Sequence, residues 1–462
     1  MAANPATSNS FELYSCLRKL VLVQNHKHSS RVFFGLSSFQ MLAMFRRGLF
    51  YSYLSIYLRF FLGLSVTETT LFATGPMILN VSFQMFVWGV LSDKYQLRRT
   101  LVVLGEVLAG IGTLFVWYAH RLGDSQILAG YIIIIGLSIV EIFWSMSNIG
   151  WSALISDLYP YEERNAIQGR LSSAGGVGRV AGVWIGGLLY DGLQLQYEGW
   201  GFYEGSLFFV AAFVMFLSTV PMAFIPEGGI QHEIHEDELP YQDDNGATSS
   251  VRVFIVFLIA ITFINFGRNS VAIIIPQYLV LDSGFNTSSI MLSYVINTQS
   301  IAMILMGLLV GSLGIRLGNG ITILLGSGMS IIGLLILSLS TDLSLIFVAS
   351  FLRGAAQVTI LASSYAFVSR LIPAKDRAKL FGVFNATFFL SWGIAGSLIA
   401  GPVIDFLIWQ GMAEDLAYRA AFLVATIVTL IGVIILIVLL IWLRNQPSRK
   451  NNSLLIQYNS LN

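Results

Sequence analysis

Ser156-Asp157-Leu158-Tyr159-Pro160-Tyr161-Glu162-Glu163-Arg164, running on to Gly169, returns later in the chain as Ser369-Arg370-Leu371-Ile372-Pro373-Ala374-Lys375-Asp376-Arg377, running on to Gly382. Serine, leucine, proline, arginine and glycine keep their spacing. A second pair lies upstream: Phe45, Arg47, Tyr57, Leu58 and Gly63 recur in the same order and spacing as Phe266, Arg268, Tyr278, Leu279 and Gly284. The chain is therefore built as two like halves. Two such halves, each rich in apolar segments, suit alternating access, in which one half rocks against the other around a site held between them.

Composition narrows the class. The chain is 55% hydrophobic and 11% charged, whereas soluble domains are about a quarter charged. Apolar stretches of about 20 residues, enough to cross a hydrocarbon layer of roughly 30 Å, fall at 33–61, 69–91, 99–119, 127–155, 171–190, 205–225, 251–280, 288–312, 320–340, 344–369, 380–408 and 418–443. Backbone groups in lipid must be satisfied internally, and these stretches lack the alternation of barrel strands, so they are helices. The expected fold is an all-α integral membrane protein of twelve transmembrane helices in two pseudo-symmetric six-helix halves. The expected organisation is a tail at 1–30, halves at 31–225 and 251–444, a linker at 226–250 and a second tail at 445–462.

Positive charges collect in alternate loops. Arg18, Lys19, Lys27 and Arg31 precede the first span; Lys94, Arg98, Arg99, Arg164, Arg170, Arg316, Arg370, Lys375, Arg377 and Lys379 occupy even-numbered loops; Arg444, Arg449 and Lys450 follow the last span. The positive-inside rule then places both termini, and the acidic, polar linker, in the cytoplasm, with the protein multi-pass in the cell membrane. No cleavable signal is expected, since the first 30 residues hold only the short apolar run Leu20–Val23. Phe11, Leu13, Leu17 and Leu20 fit either a short interfacial helix or a disordered tail. The single Cys16 permits no internal disulfide.

Gly89-Val90-Leu91-Ser92-Asp93-Lys94-Tyr95, followed by Arg98-Arg99, resembles the loop signature between helices two and three of the major facilitator superfamily, and Ser156 to Gly169 resembles the family's phrase after helix four. The likeness extends over nearly the whole chain. It implies a transporter for a small molecule, with a gate of Gly89, Asp93, Arg98, Arg99, Arg164 and Arg377 in which the acidic residue latches against the N-terminal end of helix eleven, near Leu380. The chain departs from the pattern in three places. The second copy, Gly311-Ser312-Leu313-Gly314-Ile315-Arg316, lacks the acid; the arginine frequent in helix four is absent near Leu137; and helix five, with Gly178, Gly182, Gly186 and Gly187, lacks the antiporter proline. The glycine row reads first as a close-packing face.

Ionisable groups within spans are costly and face the bundle interior, so each is a functional candidate. Here they are mostly of one sign: Arg46 and Arg47 in span one, Arg179 in span five, Arg268 in span seven and Arg353 in span ten, against Glu141 in span four. Glu106 lies nearer the end of span three and is assigned to the Asp93 network. An anionic ligand would resolve the positive excess. Arg47 and Arg268 hold equivalent repeat positions and could clamp a phosphate or carboxylate bidentately, with Arg353 as a further contact. By position the pair resembles one in the superfamily's organophosphate and sugar-phosphate exchangers. Gln40, Arg47 and Tyr51 share a helix face, as do Asn265, Arg268 and Asn269, and these neighbours could complete the ligand's hydrogen bonds. Arg46, about 100° round the helix from Arg47, is expected to pair with Glu141 or to snorkel. Glu141 carries either a coupling proton or a fixed salt bridge. The bland alternative is that the arginines are structural, bonding helix ends or glutamates.

Other signals are slight. His232-Glu233-Ile234-His235-Glu236 lacks metalloprotease spacing, Asn286-Thr287-Ser288 is a glycosylation sequon close to the membrane, and Tyr458-Asn459-Ser460-Leu461 fits a short sorting pattern. Trp117, Tyr159, Trp200 and Trp409 are expected as interface anchors. No nucleophile–base pair, metal cluster or cofactor motif is apparent, so an enzyme is not expected. The reading is a monomeric transporter of a small organic anion, with a coupling proton or counter-anion and no nucleic-acid partner. The alternatives are an exporter of amphipathic or drug-like compounds, and a transporter-like receptor or assembly partner that does not translocate.

Overall fold

The structure, a computed structural model, describes residues 6–159, 161–228, 247–369, 371 and 377–445, with side chains from 30 onward except 161–166, 247–250, 377–379 and 381. Every regular element among these is helical. Helix α1 (Ala6–Ile56) runs into a π-turn at Tyr57–Phe61. Helix α2 (Val66–Tyr95) contains a π-turn at Gln84–Trp88. Helices α3 (Arg98–Arg121), α4 (Gln126–Leu158), α5 (Tyr161–Tyr190) and α6 (Ser206–Met222) complete the first half. In the second half, α7 comprises Ala247–Ser270 and Ile274–Val280. It is followed by α8 (Ser289–Leu317), α9 (Asn319–Leu339) and α10 (Leu343–Ser369). Helix α11 comprises Arg377–Ala395, a π-turn at Gly396–Ala400 and Gly401–Trp409, and α12 is Glu414–Arg444.

Nine of the described helices are long and apolar enough to cross a membrane by length and composition. Of the other three, α6 is apolar but shorter, while α1 and α5 are diluted by arginine, glycine and hydroxyl residues. The observed helices overrun the apolar stretches at polar ends. Helix α1 begins at Ala6 rather than near 33, and α5 at Tyr161 rather than 171; hydropathy marks the buried part of a helix, and hydrogen bonding continues it beyond. The tails 1–5 and 446–462, linker residues 229–246, the His232 to His235 segment and the Tyr458 pattern lie outside the described residues. Glu227, where the linker leaves α6, is tied to the start of α3: its carboxylate accepts from Thr100 N at 2.8 Å and pairs with Arg99 at 3.1 Å.

Local chemistry repeats between the halves. Ser65 caps α2 by accepting from Glu68 N, and Ser288 caps α8 by accepting from Met291 N, each satisfying a helix-start donor. The repeated Tyr57, Leu58, Tyr278 and Leu279 are all fully buried. Helices α1 and α5 pack backbone to backbone. A Cβ on Gly178, Gly182 or Gly186 would stand 2.0, 1.9 and 2.6 Å from the carbonyl oxygens of Met41, Phe45 and Leu49. The glycine row is a packing face, where the absent Cβ permits the approach.

The distribution of core residues gives the conformation. One apolar core crosses both halves at the end opposite the termini, joining Leu49, Tyr53 and Leu58 of α1 to Val271 and Tyr278 of α7, Ile404 of α11 and Tyr418 of α12. Toward the termini it divides: Val32, Leu36, Phe39 and Leu154 form one cluster in the first half, Phe254, Phe257, Ile360 and Phe384 another in the second. Polar contacts agree. Every hydrogen bond and ion pair joining described residues of the two halves lies from the middle of the bundle to the opposite end. Asp405 accepts from Val66 N (3.0 Å) and Thr67 N (2.8 Å), and Arg59 pairs with Glu414 at 2.7 Å. Gln277 donates to Thr69 at 2.8 Å, Thr74 meets Gly393 O and Ser397, Asp191 accepts from Ser289, and Asn297 donates to Val180 O at 3.1 Å. Among the described residues, the contacts that join the halves thus lie toward the opposite end, and the core divides toward the end that bears the termini.

Candidate substrate site

The interior arginines sit where the joined core gives way to the divided one. On α1, Arg47 lies between Phe39 of the divided core and Leu49 of the joined one; on α7, Arg268 lies between Ile264 and Val271. Arg353 on α10 falls between Ala349 and Ala356, and Arg179 on α5 between Leu171 and Tyr190. Four cations from four helices thus mark one level, between the joined core and the divided ones.

Their partners differ. Arg46, on the same helix as Arg47, is 1% exposed and pairs with Glu106 at 3.2 Å. Glu106 also accepts from Trp144 Nε1 (3.0 Å) and Ser147 Oγ (2.9 Å). This corrects two expectations: Arg46 does not pair with Glu141, and Glu106 does not join the Asp93 network. The turn from α1 aims Arg46 between α3 and α4, where Glu106 faces it. Arg47, Arg179 and Arg353 have no hydrogen-bonded or ionic partner among the described residues, and Arg268 has only Asn265 Oδ1, at 2.9 Å. Their unpartnered nitrogens stay accessible, whereas Arg46 Nε and Nη2 and Asn265 Nδ2 are sealed without a partner. Arg179 lies within the field of Arg47, which also feels the Glu141 carboxylate, and Arg268 lies within that of Arg353.

Around them the assignments are specific. Arg47 lies over the indole of Trp144, 4.2 Å from its centroid, and Arg46 lies 4.1 Å from the same ring. Tyr51 is stacked near Trp144 and Phe72. Gln40 packs toward Gly175 of α5. Asn269 donates to Ser391 Oγ on α11 at 2.9 Å, so its amide joins two helices. Glu141, 8% exposed, accepts from Asn80 Nδ2 at 2.5 Å, and Asn80 accepts from Gln84 Nε2 at 2.6 Å. No arginine forms an ion pair with Glu141 among the described residues, so the fixed salt bridge is absent from this conformation.

At the termini-bearing end, Asp93 is 79% exposed and pairs with Arg98 of its own half at 3.1 Å. Arg98 also binds Ser92 Oγ (2.5 Å) and Asp157 (3.2 Å). Among the described residues Asp93 has no partner on α11; the side chains at 377–379 and 381, where the latch is expected, lie outside them. Gly89 follows the π-turn, and a Cβ there would stand 2.8 Å from Gln84 O. The side chains of Arg164 and Arg377 lie outside the described residues. At the sequon, Asn286 and Ser288 are exposed, while the intervening Thr287 is buried with its hydroxyl donated to Leu279 O at 2.7 Å.

Sequence reasoning missed Trp144, Asn80 and Gln84. Tryptophan favours the membrane interfaces, so one in the middle of a span was a signal. Asn80 and Gln84, one turn apart in the middle of α2, were another.

A family model described as Major Facilitator Superfamily matches the chain twice, over residues 36–264 and 257–456. The chain belongs to the major facilitator superfamily. The chain is 21% identical to the multi-drug resistance efflux pump PmrA of Streptococcus pneumoniae over 321 residues, covering 68% of this chain and 75% of the relative. Among solved structures it is similar to a point mutant of the nucleoside transporter NupG, with a TM-score of 0.69, 15% identity and coverage of 88% of this chain and 99% of the other. A bacterial homolog of the human lysosomal transporter Spinster, in an inward-facing and unoccupied conformation, gives a TM-score of 0.65 at 15% identity over 89% and 97% of the two chains. These likenesses establish the two-half, twelve-helix fold of a multi-pass membrane transporter.

Proposed function

We propose that this transporter moves a small organic anion, phosphorylated or carboxylated, by alternating access. The observation that carries the reading is the set of four arginines that make no ion pair among the described residues, at the junction of the joined and divided cores. Uncompensated charge is expensive in a low-dielectric interior, and accessible guanidinium donors are a standing site for carboxylate or phosphate oxygens. Arg47 and Arg268 are the principal anion contacts, Arg179 and Arg353 reinforce the positive field, and Tyr51 and Asn265 stand beside them. Glu141, hydrogen-bonded to Asn80 and in no ion pair among the described residues, is the group available for a coupling proton. The loop charges support cytoplasmic termini, which makes this an inward-open state of a cell-membrane protein. The domain boundaries at 31–225 and 251–444 follow from the same repeat.

The test is calorimetry of the purified full-length protein against inorganic phosphate, glycerol 3-phosphate, succinate and citrate. Binding of at least one is expected. Arg47→Lys and Arg268→Lys weaken it despite the retained charge, because lysine lacks the planar fork. Arg47→Ala or Arg268→Ala weakens it more, by about tenfold to a hundredfold, the scale of a lost charge-assisted hydrogen bond of about 1.5–3 kcal/mol. Unchanged affinity in both alanine variants overturns the reading. A second reading, export of amphipathic compounds, is favoured by the likeness to an efflux pump. It predicts binding of lipophilic cations that neither alanine variant impairs.

A further inference from the structure

We propose that Trp144 is the positioning residue of the anion site, fixing the Arg47 guanidinium so that its in-plane donors face the ligand. The proposal rests on the anion reading above and adds a residue that no signature of the chain assigns. Three observations support it. Arg47 has no hydrogen-bonded or ionic partner among the described residues, and the contact that orients its guanidinium is the Trp144 indole, 4.2 Å from centroid to Cζ. Trp144 is itself 7% exposed and anchored, donating Nε1–H to Glu106 at 3.0 Å. Glu106 is in turn held by Arg46 and Ser147. The indole thus transmits the rigidity of a sealed polar cluster to an arginine that has none of its own.

The chemistry suits an oxyanion. Stacking on an aromatic face engages the π-surface of a guanidinium and leaves its N–H groups free at the edge, where they fit carboxylate or phosphate in a fork. An arginine on a flexible stem would lose rotamer entropy on binding; one already seated on a ring has lost most of it. Arg46 shares the ring but is neutralised by Glu106. The same indole therefore holds one arginine as foundation and the other as ligand contact.

The experiment is a double-mutant cycle on the full-length protein, read as the Kd of the anion that binds tightest among phosphate, glycerol 3-phosphate, succinate and citrate. Trp144→Leu is expected to raise Kd about tenfold, the scale of a desolvated cation–π contact. Trp144→Phe, which keeps an aromatic face but loses the second ring and the Nε1 donor to Glu106, is expected to raise Kd by less than Trp144→Leu. In an Arg47→Ala background Trp144→Leu costs no further affinity, whereas with Arg268→Ala the losses multiply, since coupling marks residues acting through one another. A purely structural role for Trp144 would add its loss in both backgrounds. Site-specific fluorinated tryptophan at 144, which withdraws ring electrons without changing shape, weakens binding stepwise and keeps the test decisive if Trp144→Leu does not fold. Unchanged Kd on fluorination, or full additivity with Arg47→Ala, overturns the positioning role alone. Absence of binding by all four anions overturns it together with the anion reading.

Discussion

Arg46 and Arg47 are neighbours with opposite fates, and the difference is one of partners. Arg46 meets Glu106 inside the first half, in a cluster sealed from solvent. Arg47 meets an aromatic face and keeps its donors accessible. Removing one member of a buried ion pair strands the other charge, at a cost of about 3–5 kcal/mol. Glu106→Gln should therefore lower thermal stability markedly, while the double change Glu106→Gln with Arg46→Met recovers much of the loss; melting temperatures in detergent check both. An equal loss in single and double variants would show that the cluster is not held by the ion pair. The sequence showed that these arginines were in excess, because charge in an apolar span is conspicuous. It did not show which one was satisfied. That depends on which helix faces each side of α1, a tertiary fact that one strand of text does not carry.

At the scale of helices, close packing and latching are separate jobs. The glycine row of α5 lets α1 approach so closely that Gly182→Ala would drive a Cβ to 1.9 Å from the Phe45 carbonyl oxygen. Backbone cannot yield as a side chain can, so Gly182→Ala is expected to abolish folded yield or lower the melting temperature sharply. Gly382→Ala, with nothing within 4 Å of its Cβ position, is expected to melt with the parent. The spacing of the glycines was legible in advance; the helix they pack against was not. Between halves the joints are polar. Asp405 caps the N-terminus of α2 from α11, where backbone donors and the helix dipole favour an anion, and Arg59 pairs with Glu414. Each contributes up to about 1 kcal/mol, so losing both shifts the equilibrium toward opening at that end by about thirtyfold. Spin labels at Asp124→Cys and Thr341→Cys, with Cys16 replaced, should report longer distances in the Asp405→Asn, Arg59→Gln double variant. An unchanged distance distribution would show that the apolar core alone holds that end.

For the whole molecule, the two-half architecture was the most legible feature, because a repeat and twelve apolar stretches are one-dimensional patterns. Tyr57 and Tyr278 bear it out as buried counterparts. The conformation was not legible. A sequence encodes both ends of an alternating cycle, so the Asp93 loop read as a latch, whereas its partner among the described residues is Arg98 of its own half. The level shared by the arginines became visible only when the core residues could be sorted into a joined set and two separate ones. The central claim is that the four arginines at that level make an anion the transported species, and flux tests it most directly. In proteoliposomes loaded with the best-binding anion of the panel, external labelled anion should accumulate saturably, and Arg47→Ala and Arg268→Ala should each reduce the initial rate at least tenfold. Saturable binding without accumulation, or flux of lipophilic cations with no flux of any anion, would contradict the account.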